Sequence, residues 1–229
     1  MEEHGMVMEG REAKDRLYEV FARTAKAVAN PKRIELLELL AQGERTVESL
    51  ADATGMGMTN TSAHLQVLAR SGMAETRKEG TRVFYRVSGD DVPAFVVALR
   101  DLARARAAEV DQIVRDYFVA RDALEPIGRD ELVGRVGSGD VVILDVRPVQ
   151  EYLAGHIPGA LSVPLDHLEQ ALSRLPKRGE IIAYCRGPYC VLAPQAVERL
   201  KAKGYRARRL AEGLPEWRLA GLPVAVGEE

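Results

Sequence analysis

Both cysteines of this 229-residue chain, Cys185 and Cys190, stand on one short stretch, CRGPYC. A thiol attacks as its thiolate, which forms where positive charge and N–H groups surround the sulfur atom. Arg186 offers such a charge to an anionic substrate, while Gly187 lets the backbone bend and Pro188 contributes no N–H. A close cysteine pair in a reducing compartment is catalytic, redox-active or incidental, and this context favours a nucleophile at Cys185.

The segments on either side of the loop determine how it is presented. The apolar run EIIAY predicts a buried strand that delivers Cys185 to its carboxyl end, and a helix is predicted to begin near Leu192. Backbone N–H groups converge at such a junction, and the helix dipole is positive there. We therefore expect the pKa of Cys185 to fall below the free value of about 8.5. The same loop contains Tyr189 and Val191.

Length and composition predict a soluble protein of two domains, because 229 residues exceed one typical domain. Hydrophobic residues make up 46% of the chain and charged residues 29%, and no apolar run approaches the roughly 18 residues of a membrane span. The N-terminal stretch carries charges of both signs, unlike a secretion or transit signal, so a cytoplasmic location without a membrane partner is expected. Four scattered histidines and two cysteines argue against a structural zinc site and a disulfide framework.

The periodicity of the chain changes between residues 123 and 127. From Arg11 to about Ala123 the apolar spacing is helical, and Pro126 then precedes a new helix start. Beyond it, short apolar runs such as DVVILDV alternate with helical stretches, which is typical of βαβ units with a parallel sheet. We predict one domain at residues 1–123 and a second at residues 124–229.

The first domain has the outline of a helix-turn-helix followed by a hairpin. TVESLADATG and NTSAHLQVLARSG predict two helices, each ended by a glycine, with the turn MGMT between them. MAETRKEGTRVFYRVS then predicts two strands around a turn at Glu79 and Gly80. The chain has a net charge of −2, yet Met58 to Arg86 holds five Lys or Arg against two Glu. A nucleic-acid surface is therefore expected to be local to this region.

The pattern from NPKRIELLELL to this hairpin resembles the winged helix of ArsR-type bacterial transcriptional regulators, over roughly residues 15 to 120. The resemblance implies a homodimer that places the second helix of the motif in the major groove of double-stranded DNA. Thr59 and Ser62 have the alternative role of helix caps, and His64 that of an ordinary surface residue. The resemblance assigns contacts with bases or phosphates to Thr59, Asn60, Thr61, Ser62, His64 and Gln66 on the helix and to Lys78 and Arg82 on the wing, with Leu65 and Leu68 in the core.

Two further features of this domain bear on its partners. Residues 90–118 carry apolar side chains at helical spacing, which predicts a helix too long for so small a domain to cover. The resemblance implies pairing with the first helix of a second subunit, and burial within one chain is the alternative.

ArsR-type metal sensors carry ligands on the helix before the turn or on the last helix. The corresponding stretches contain no Cys or His, so the usual soft-metal site is not expected there.

The second domain resembles a single rhodanese domain, over roughly residues 127 to 226. Its first signature comprises Asp145, Val146 and Arg147, followed by Glu151 and the turn GHIPGA, and GLPEWRLAGLPV resembles the closing segment of the family. The resemblance implies an α/β fold with a central parallel sheet, after a mainly α winged helix-turn-helix. It also implies that Asp145 and Arg147 form an ion pair that supports the active-site loop, and that His156 stabilises a turn.

The resemblance further implies sulfur transfer at Cys185. Its thiolate would attack the sulfane sulfur of a donor such as thiosulfate, and a thiol or cyanide would then take the sulfur from the resulting persulfide. No metal or organic cofactor is needed. Related dual-specificity phosphatases require an arginine that clamps the phosphoryl oxygens, and Val191 stands at the position that would hold it. Phosphatase and arsenate reductase activities are therefore disfavoured.

Cys190 permits two interpretations. In one, its thiol attacks the persulfide on Cys185, which releases sulfide and leaves a disulfide. In the other, it is a small residue packed against the first turn of the following helix. The disulfide requires Cα atoms within about 7 Å, which a sequence does not determine.

Two functions are compatible with this pair of domains. The first is a transcriptional regulator, expected to be a repressor, whose DNA binding responds to sulfane sulfur. The second is a thiosulfate-type sulfurtransferase whose winged helix serves only for localisation or dimerisation. Adjacency of two domains does not establish coupling, which requires a differential interaction with two states.

Overall fold

A computed structural model of the chain describes residues 9–119, 126–137, 139–177 and 179–228. The chain forms two compact units, of which the first comprises Met1–Leu37 and Arg45–Ser88, and the second Glu38–Glu44 and Gly89–Glu229. The short segment Glu38–Glu44 thus belongs to the second unit, although the chain on both sides of it belongs to the first.

Polar side chains hydrogen-bond to the first turns of two of the helices of the first unit, those that begin at Pro31 and Val47. The side chain of Asn30 accepts hydrogen bonds from the N–H groups of Lys32 and Arg33 at 3.0 and 3.2 Å, and the Thr46 hydroxyl accepts one from Ser49 N–H at 3.3 Å. These are the N-cap contacts that satisfy the first turn of a helix. The helices are α1 (Gly10–Val28), α2 (Pro31–Leu40, which continues into the second unit), α3 (Val47–Thr54) and α4 (Met58–Arg70).

A small antiparallel sheet completes the first unit, with β1 (Arg45–Thr46), β2 (Ala74–Glu79) and β3 (Arg82–Val87) in the order β1-β3-β2. Glu79 pairs with Arg82, so the two turn residues are Gly80 and Thr81, one position later than the sequence predicted. Gly80 adopts a φ of +59°, which glycine accommodates without strain. The wing hairpin predicted from the sequence is otherwise present.

The long helix predicted over residues 90–118 is wrong. The segment forms α5 (Asp91–Arg106), α6 (Ala108–Val114) and one π-helical turn, Arg115–Val119. Ala107 separates the first two with extended backbone angles of φ −114° and ψ 101°. Neither Pro nor Gly marks this break, so the apolar spacing continues across it and the sequence pattern conceals it.

The remainder of the second unit is an α/β domain around a parallel sheet of order β5-β4-β6-β7. Apolar side chains on the two faces of the sheet form two buried clusters, one around Leu144 and Val197 and the other around Ile182 and Trp217. The predicted mainly α winged helix followed by an α/β domain with a central parallel sheet is confirmed. The strands are β4 (Val141–Asp145), β5 (Leu161–Ser162), β6 (Glu180–Tyr184) and β7 (Ala207–Arg209), and the helices are α7 (Arg129–Arg135), α8 (Val149–Ala154), α9 (Leu168–Ala171), α10 (Leu192–Ala202) and α11 (Leu214–Leu219).

Over the residues that the structure describes, none of the helices combines the length and the apolar character needed to cross a membrane.

Candidate active site and nucleic-acid interface

The two central strands of the parallel sheet bring the candidate active site together. Asp145 is the last residue of β4 and Tyr184 the last of β6, and the two are paired in register. Because the carboxyl ends of parallel strands meet at one edge, the signature after Asp145 and the loop after Tyr184 share that edge. Cys185 is the first residue beyond β6, where the sequence placed it.

An ion pair between Asp145 and Arg147 underlies the loop, and both side chains are completely buried. Nε of Arg147 donates to Asp145 Oδ1 at 2.9 Å and Nη2 donates to Oδ2 at 2.5 Å. Tyr184 adds a third group, since its hydroxyl donates to Asp145 Oδ2 at 2.6 Å. Burial acts to lower the pKa of Arg147, but the hydrogen bond and charge of Asp145 outweigh it and raise that pKa. The ion pair expected from the sequence is present.

The other donors of Arg147 extend this network towards the loop. Nη2 also donates to the carbonyl oxygen of Gly155 at 2.7 Å, and Nη1 donates to Gln42 Oε1 at 2.9 Å. Gln42 belongs to the Glu38–Glu44 segment of the second unit, and its own Nε2 donates to the carbonyl oxygen of Arg186 at 3.4 Å. Arg147 thus reaches the cysteine loop through a glutamine that sequence reasoning did not select.

Arg186 does not present its guanidinium as the sequence suggested. Its Nε lies 3.1 and 3.0 Å from the two carboxylate oxygens of Glu151, and its Nη2 donates to Oε1 at 2.7 Å. Glu151 is 2% exposed, so this bidentate pair is largely removed from water. Burial opposes the charge of Arg186, yet the hydrogen bond and charge of Glu151 raise its pKa. The cation therefore faces Glu151 and still adds a positive field near both thiols.

The two thiols are unequal. Cys185 is 3% exposed, and its Sγ lies 3.7 Å from the Cys190 carbonyl oxygen and 3.9 Å from that of Gly187. Burial is the main cause that raises the pKa of Cys185 well above its ordinary value. A hydrogen bond with Cys190 and the charge of Cys190 raise it further. The N–H groups of Ala193 and Gly187 favour a Cys185 thiolate but do not compensate. The expectation of a lowered pKa at Cys185 is therefore wrong, because burial outweighs the converging N–H groups.

Cys190 carries the more acidic thiol. The hydrogen bond that it accepts from the Cys185 thiol is the main cause, and it lowers the pKa of Cys190 to about 7 against the opposing effect of burial. The N–H groups of Leu192 and Arg186 and the charge of Arg186 act in the same direction. The converging N–H groups and positive charge predicted for this loop are present, but they lower the pKa of its second cysteine and not that of its first.

The remaining loop residues define the outer part of the site. Gly187 is buried, Pro188 and Tyr189 are half-buried, and Val191, at the start of α10, is 42% exposed. An apolar side chain thus occupies the position where a phosphatase would hold its clamp. Gly213, at the start of α11, contacts the loop closely, since a Cβ there would lie 2.3 Å from Gly187 N and 2.4 Å from the Arg186 carbonyl carbon.

His156 has the structural environment that its turn suggested. Its ring is completely buried and stacks on Tyr152, with ring centroids 3.7 Å apart and an interplanar angle of 12°. Its Nδ1 lies 2.9 Å from the Tyr152 carbonyl oxygen. The backbone of His156 also exchanges hydrogen bonds with Ala225, both at 2.9 Å, which secures the end of the chain to this turn.

The predicted DNA-reading helix, α4, presents most but not all of the expected side chains. Thr59, Asn60 and Gln66 are exposed, and Ser62 and His64 are half-buried. Thr61 is completely buried and its hydroxyl donates to the Gly57 carbonyl oxygen at 3.2 Å, so its assignment to DNA contact is wrong. Leu65 and Leu68 are completely buried, as predicted for the core.

The wing separates its basic residues into two groups. Arg77 and Arg86 are ion-paired with Glu79 and Glu75, each at 2.7 Å. Lys78 and Arg82 are exposed close to the turn, as a role in phosphate contact requires. Thr59, Ser62 and Gln66 line a groove together with Thr81 and Val83, so α4 and the wing hairpin form one continuous concave surface.

Several residues of the second unit escaped sequence reasoning. Glu151 belongs to the first signature, and no feature of the neighbouring sequence indicates that it pairs with an arginine 35 residues later. Gln42 follows a run of leucines at the end of a helix and looks like an ordinary terminal polar residue. Gly213 offered one signal, because the segment GLPEW stood out as a motif without an assigned task.

Comparison with known proteins agrees with this geometry in both units. The family model described as a bacterial regulatory protein of the arsR family matches residues 30–76, and the model of the rhodanese-like domain matches residues 128–220. The chain is 46% identical over 211 residues, 92% of its own length and 92% of the other protein, to the HTH-type transcriptional regulator Rv0324 of Mycobacterium tuberculosis. The chain belongs to the arsR family of regulators and carries a C-terminal rhodanese-like domain.

Two further relatives match parts of this arsR-family regulator. A protein named sulfurtransferase from Allochromatium vinosum is 33% identical over 90 residues, which are 39% of this chain and 82% of that protein. The solution structure of a homodimeric winged helix-turn-helix DNA-binding domain from Mycobacterium bovis, described as a possible ArsR-family regulator, is 44% identical. It covers 44% of this chain and 91% of its own, with a TM-score of 0.40.

Proposed function

We propose that this arsR-family regulator is a DNA-binding repressor whose rhodanese-like domain takes sulfane sulfur onto Cys185 from a donor such as thiosulfate. The observation that carries the proposal is the thiol pair on one loop, in which Cys185 directly follows β6 and its Sγ lies 3.7 Å from the Cys190 carbonyl oxygen. The Cys185 thiol is the main cause that lowers the pKa of Cys190 to about 7, so Cys190 is the more acidic thiol of the pair. Val191 in place of a phosphate clamp favours sulfur chemistry over phosphoryl transfer.

The thiol pair suggests how the buried cysteine is activated. When the Cys185 sulfur attacks, its proton passes to the neighbouring Cys190 thiolate, which acts as the general base. A bond forms between Cys185 Sγ and the outer sulfur of thiosulfate, the S–S bond of thiosulfate breaks, and sulfite leaves with the electron pair. The N–H groups of Gly187 and Ala193 stabilise negative charge that develops on Cys185.

The persulfide on Cys185 can react in two ways. A thiolate or cyanide takes the outer sulfur, and Cys185 recovers its electron pair as a thiolate. Alternatively, the Cys190 sulfur attacks Cys185 Sγ, a disulfide forms, and the outer sulfur leaves as HS⁻ with the proton of Cys190. The second route ends in an oxidised loop, which is a stable chemical difference between two states of the protein.

The first unit supplies the DNA-binding part of the proposal. Thr59 and Gln66 of α4 line the groove together with Thr81 of the wing, and the exposed Lys78 and Arg82 add positive charge to the wing. On α1, the apolar side chains of Leu17, Tyr18 and Phe21 are 56–60% exposed. Three large exposed apolar groups on one helix favour coverage by a second copy of the chain, so we propose a homodimer.

A second candidate is a sulfurtransferase whose winged helix only dimerises or localises it. The relative named sulfurtransferase favours this candidate. Binding to the DNA upstream of the protein's own gene, measured with and without thiosulfate or polysulfide, separates the two. We expect the donor to change the affinity of the native protein and to have no effect on Cys185→Ser.

The outcomes of this experiment are distinct. Sulfur transfer from thiosulfate to cyanide is expected to be abolished by Cys185→Ser and altered, but not abolished, by Cys190→Ser. If the donor leaves DNA affinity unchanged while transfer is normal, the regulatory proposal fails and the tethered sulfurtransferase stands. If Cys185 never turns over while DNA binding is intact, the second unit has no sulfurtransferase role.

A further inference from the structure

Gln42 lies beneath the cysteine loop, although it precedes Arg186 by 144 residues. Its side chain is completely buried, and its Oε1 accepts a hydrogen bond from Arg147 Nη1 at 2.9 Å. Its Nε2 donates to the carbonyl oxygens of Glu38 at 3.1 Å and Arg186 at 3.4 Å. A buried amide with both ends hydrogen-bonded is held in one orientation.

The contact with Arg186 fixes one particular peptide group. The carbonyl of Arg186 and the N–H of Gly187 belong to the same planar trans peptide and point to opposite sides of it. Gln42 holds the carbonyl end, and the N–H end favours a thiolate at Cys185, whose Sγ lies 3.9 Å from the carbonyl oxygen of the same Gly187. Rotation of this peptide would therefore remove an N–H group from the sulfur that is proposed to carry the persulfide.

Gly43, the neighbour of Gln42, packs closely against Ala154. Gly43 has a φ of +151°, and a Cβ there would lie only 2.6 Å from Cβ of Ala154. The next residue along, Gly155, accepts the Nη2 hydrogen bond of Arg147 at 2.7 Å. The backbone next to Gln42 thus passes close to the Ala154–Gly155 segment, which Arg147 also contacts.

We propose that Gln42 is a positioning residue for the cysteine loop, which holds the Arg186–Gly187 peptide so that the Gly187 N–H faces the Cys185 sulfur. The inference rests on the proposed sulfur chemistry, which it deepens by naming a residue that prepares Cys185. Gln42 also lies three residues before β1 and within the arsR-family match at residues 30–76.

The test replaces Gln42 by methionine, which has a similar shape but cannot form these hydrogen bonds. The matched control is Gln170→Met, since Gln170 is exposed on α9. Sulfur transfer from thiosulfate to cyanide is measured as kcat and KM separately. The pKa of Cys185 is measured from thiolate absorbance in a Cys190→Ser background, as a difference from the chain without cysteines.

We expect Gln42→Met to lower kcat about tenfold or more with KM changed less than about threefold. We expect the pKa of Cys185 to rise by about one unit, because a hydrogen bond to its thiolate is lost. Gln170→Met should change neither quantity. An unchanged kcat and an unchanged Cys185 pKa, with only a lower Tm, would show that Gln42 is merely structural and overturn the inference.

A second variant covers the case in which Gln42→Met does not fold. Gln42→Glu keeps an acceptor for Arg147 but cannot donate to the Arg186 carbonyl, so the Cys185 pKa should again rise, and an unchanged pKa overturns the inference. If the native protein never forms a persulfide, the proposed function fails. The inference about Gln42 is still decided in that case, because the pKa measurement needs no turnover.

Discussion

Substitution of Gly213 by alanine adds only one methyl group, but we expect it to displace the cysteine loop. A Cβ at Gly213 would lie 2.3 Å from Gly187 N, 2.4 Å from the Arg186 carbonyl carbon and 2.5 Å from the Arg186 oxygen. Ordinary contacts with carbon are about 3.5 Å, so the Arg186–Gly187 peptide must move by roughly 1 Å. A displacement of that size at a reacting group costs about a hundredfold in rate. We therefore expect sulfur transfer to fall by about two orders of magnitude.

The backbone of Gly213 makes this a clean steric test. Its φ of −115° and ψ of −172° are accessible to alanine, so no backbone strain is added. Overpacking should lower the free energy of unfolding by about 1–3 kcal/mol. Gly128→Ala is the matched control, because Gly128 also precedes a helix, has a φ of −73° and leaves nothing within 4 Å of an added Cβ.

The assay combines thiosulfate-to-cyanide transfer with thermal unfolding of both glycine variants. The reasoning is refuted if Gly213→Ala transfers sulfur within about twofold of the native rate and has the same Tm. It is also refuted if Gly128→Ala loses as much activity, since the loss would then not depend on the contact with the loop.

Three further predictions follow from named contacts. Alkylation of Cys190 by iodoacetamide should accelerate with rising pH around its pKa of about 7, and Cys185→Ala should move that midpoint upward because the principal hydrogen bond is lost. Thr61→Val should lower the free energy of unfolding by about 1 kcal/mol without changing DNA affinity, since its buried hydroxyl hydrogen-bonds to Gly57. Asn60→Ala should weaken DNA binding without changing the free energy of unfolding, because Asn60 is exposed. Phe21→Glu should convert the proposed dimer to monomers in sedimentation, because Phe21 is 60% exposed on α1; a native chain that already sediments as a monomer would contradict it.

Local patterns in the sequence predicted most of the architecture. Glycine-ended helices and a basic hairpin predicted the winged helix, and short apolar runs predicted the parallel sheet that presents Cys185. These features depend on interactions between residues that are close in the sequence, and sequence patterns therefore predict them. The prediction of a continuous helix through Ala107 failed because the break carries no Pro or Gly signal, and the hairpin turn lies one position later than predicted.

The electrostatics of the site could not be predicted in the same way. The direction of Arg186 depends on Glu151, 35 residues away, and the anchoring of the loop depends on Gln42, 144 residues away. The pKa of Cys185 depends on the balance between burial and converging N–H groups, and burial dominates. The local sequence indicates the N–H groups around the sulfur, but the burial of the sulfur depends on residues that are distant in the chain. Thr61 was misassigned for a related reason, since the face of a helix that is buried is set by its tertiary partners.

The central claim, that Cys185 receives sulfane sulfur with Cys190 as its partner, is tested most directly by the mass of the intact protein after exposure to thiosulfate or polysulfide. The account predicts that Cys190→Ser gains one sulfur atom on Cys185, and that the native chain loses two hydrogens as sulfide is released. It also predicts that Cys185→Ser takes up no sulfur from thiosulfate. Sulfur bound only at Cys190, or an unchanged mass in all three proteins, would contradict it.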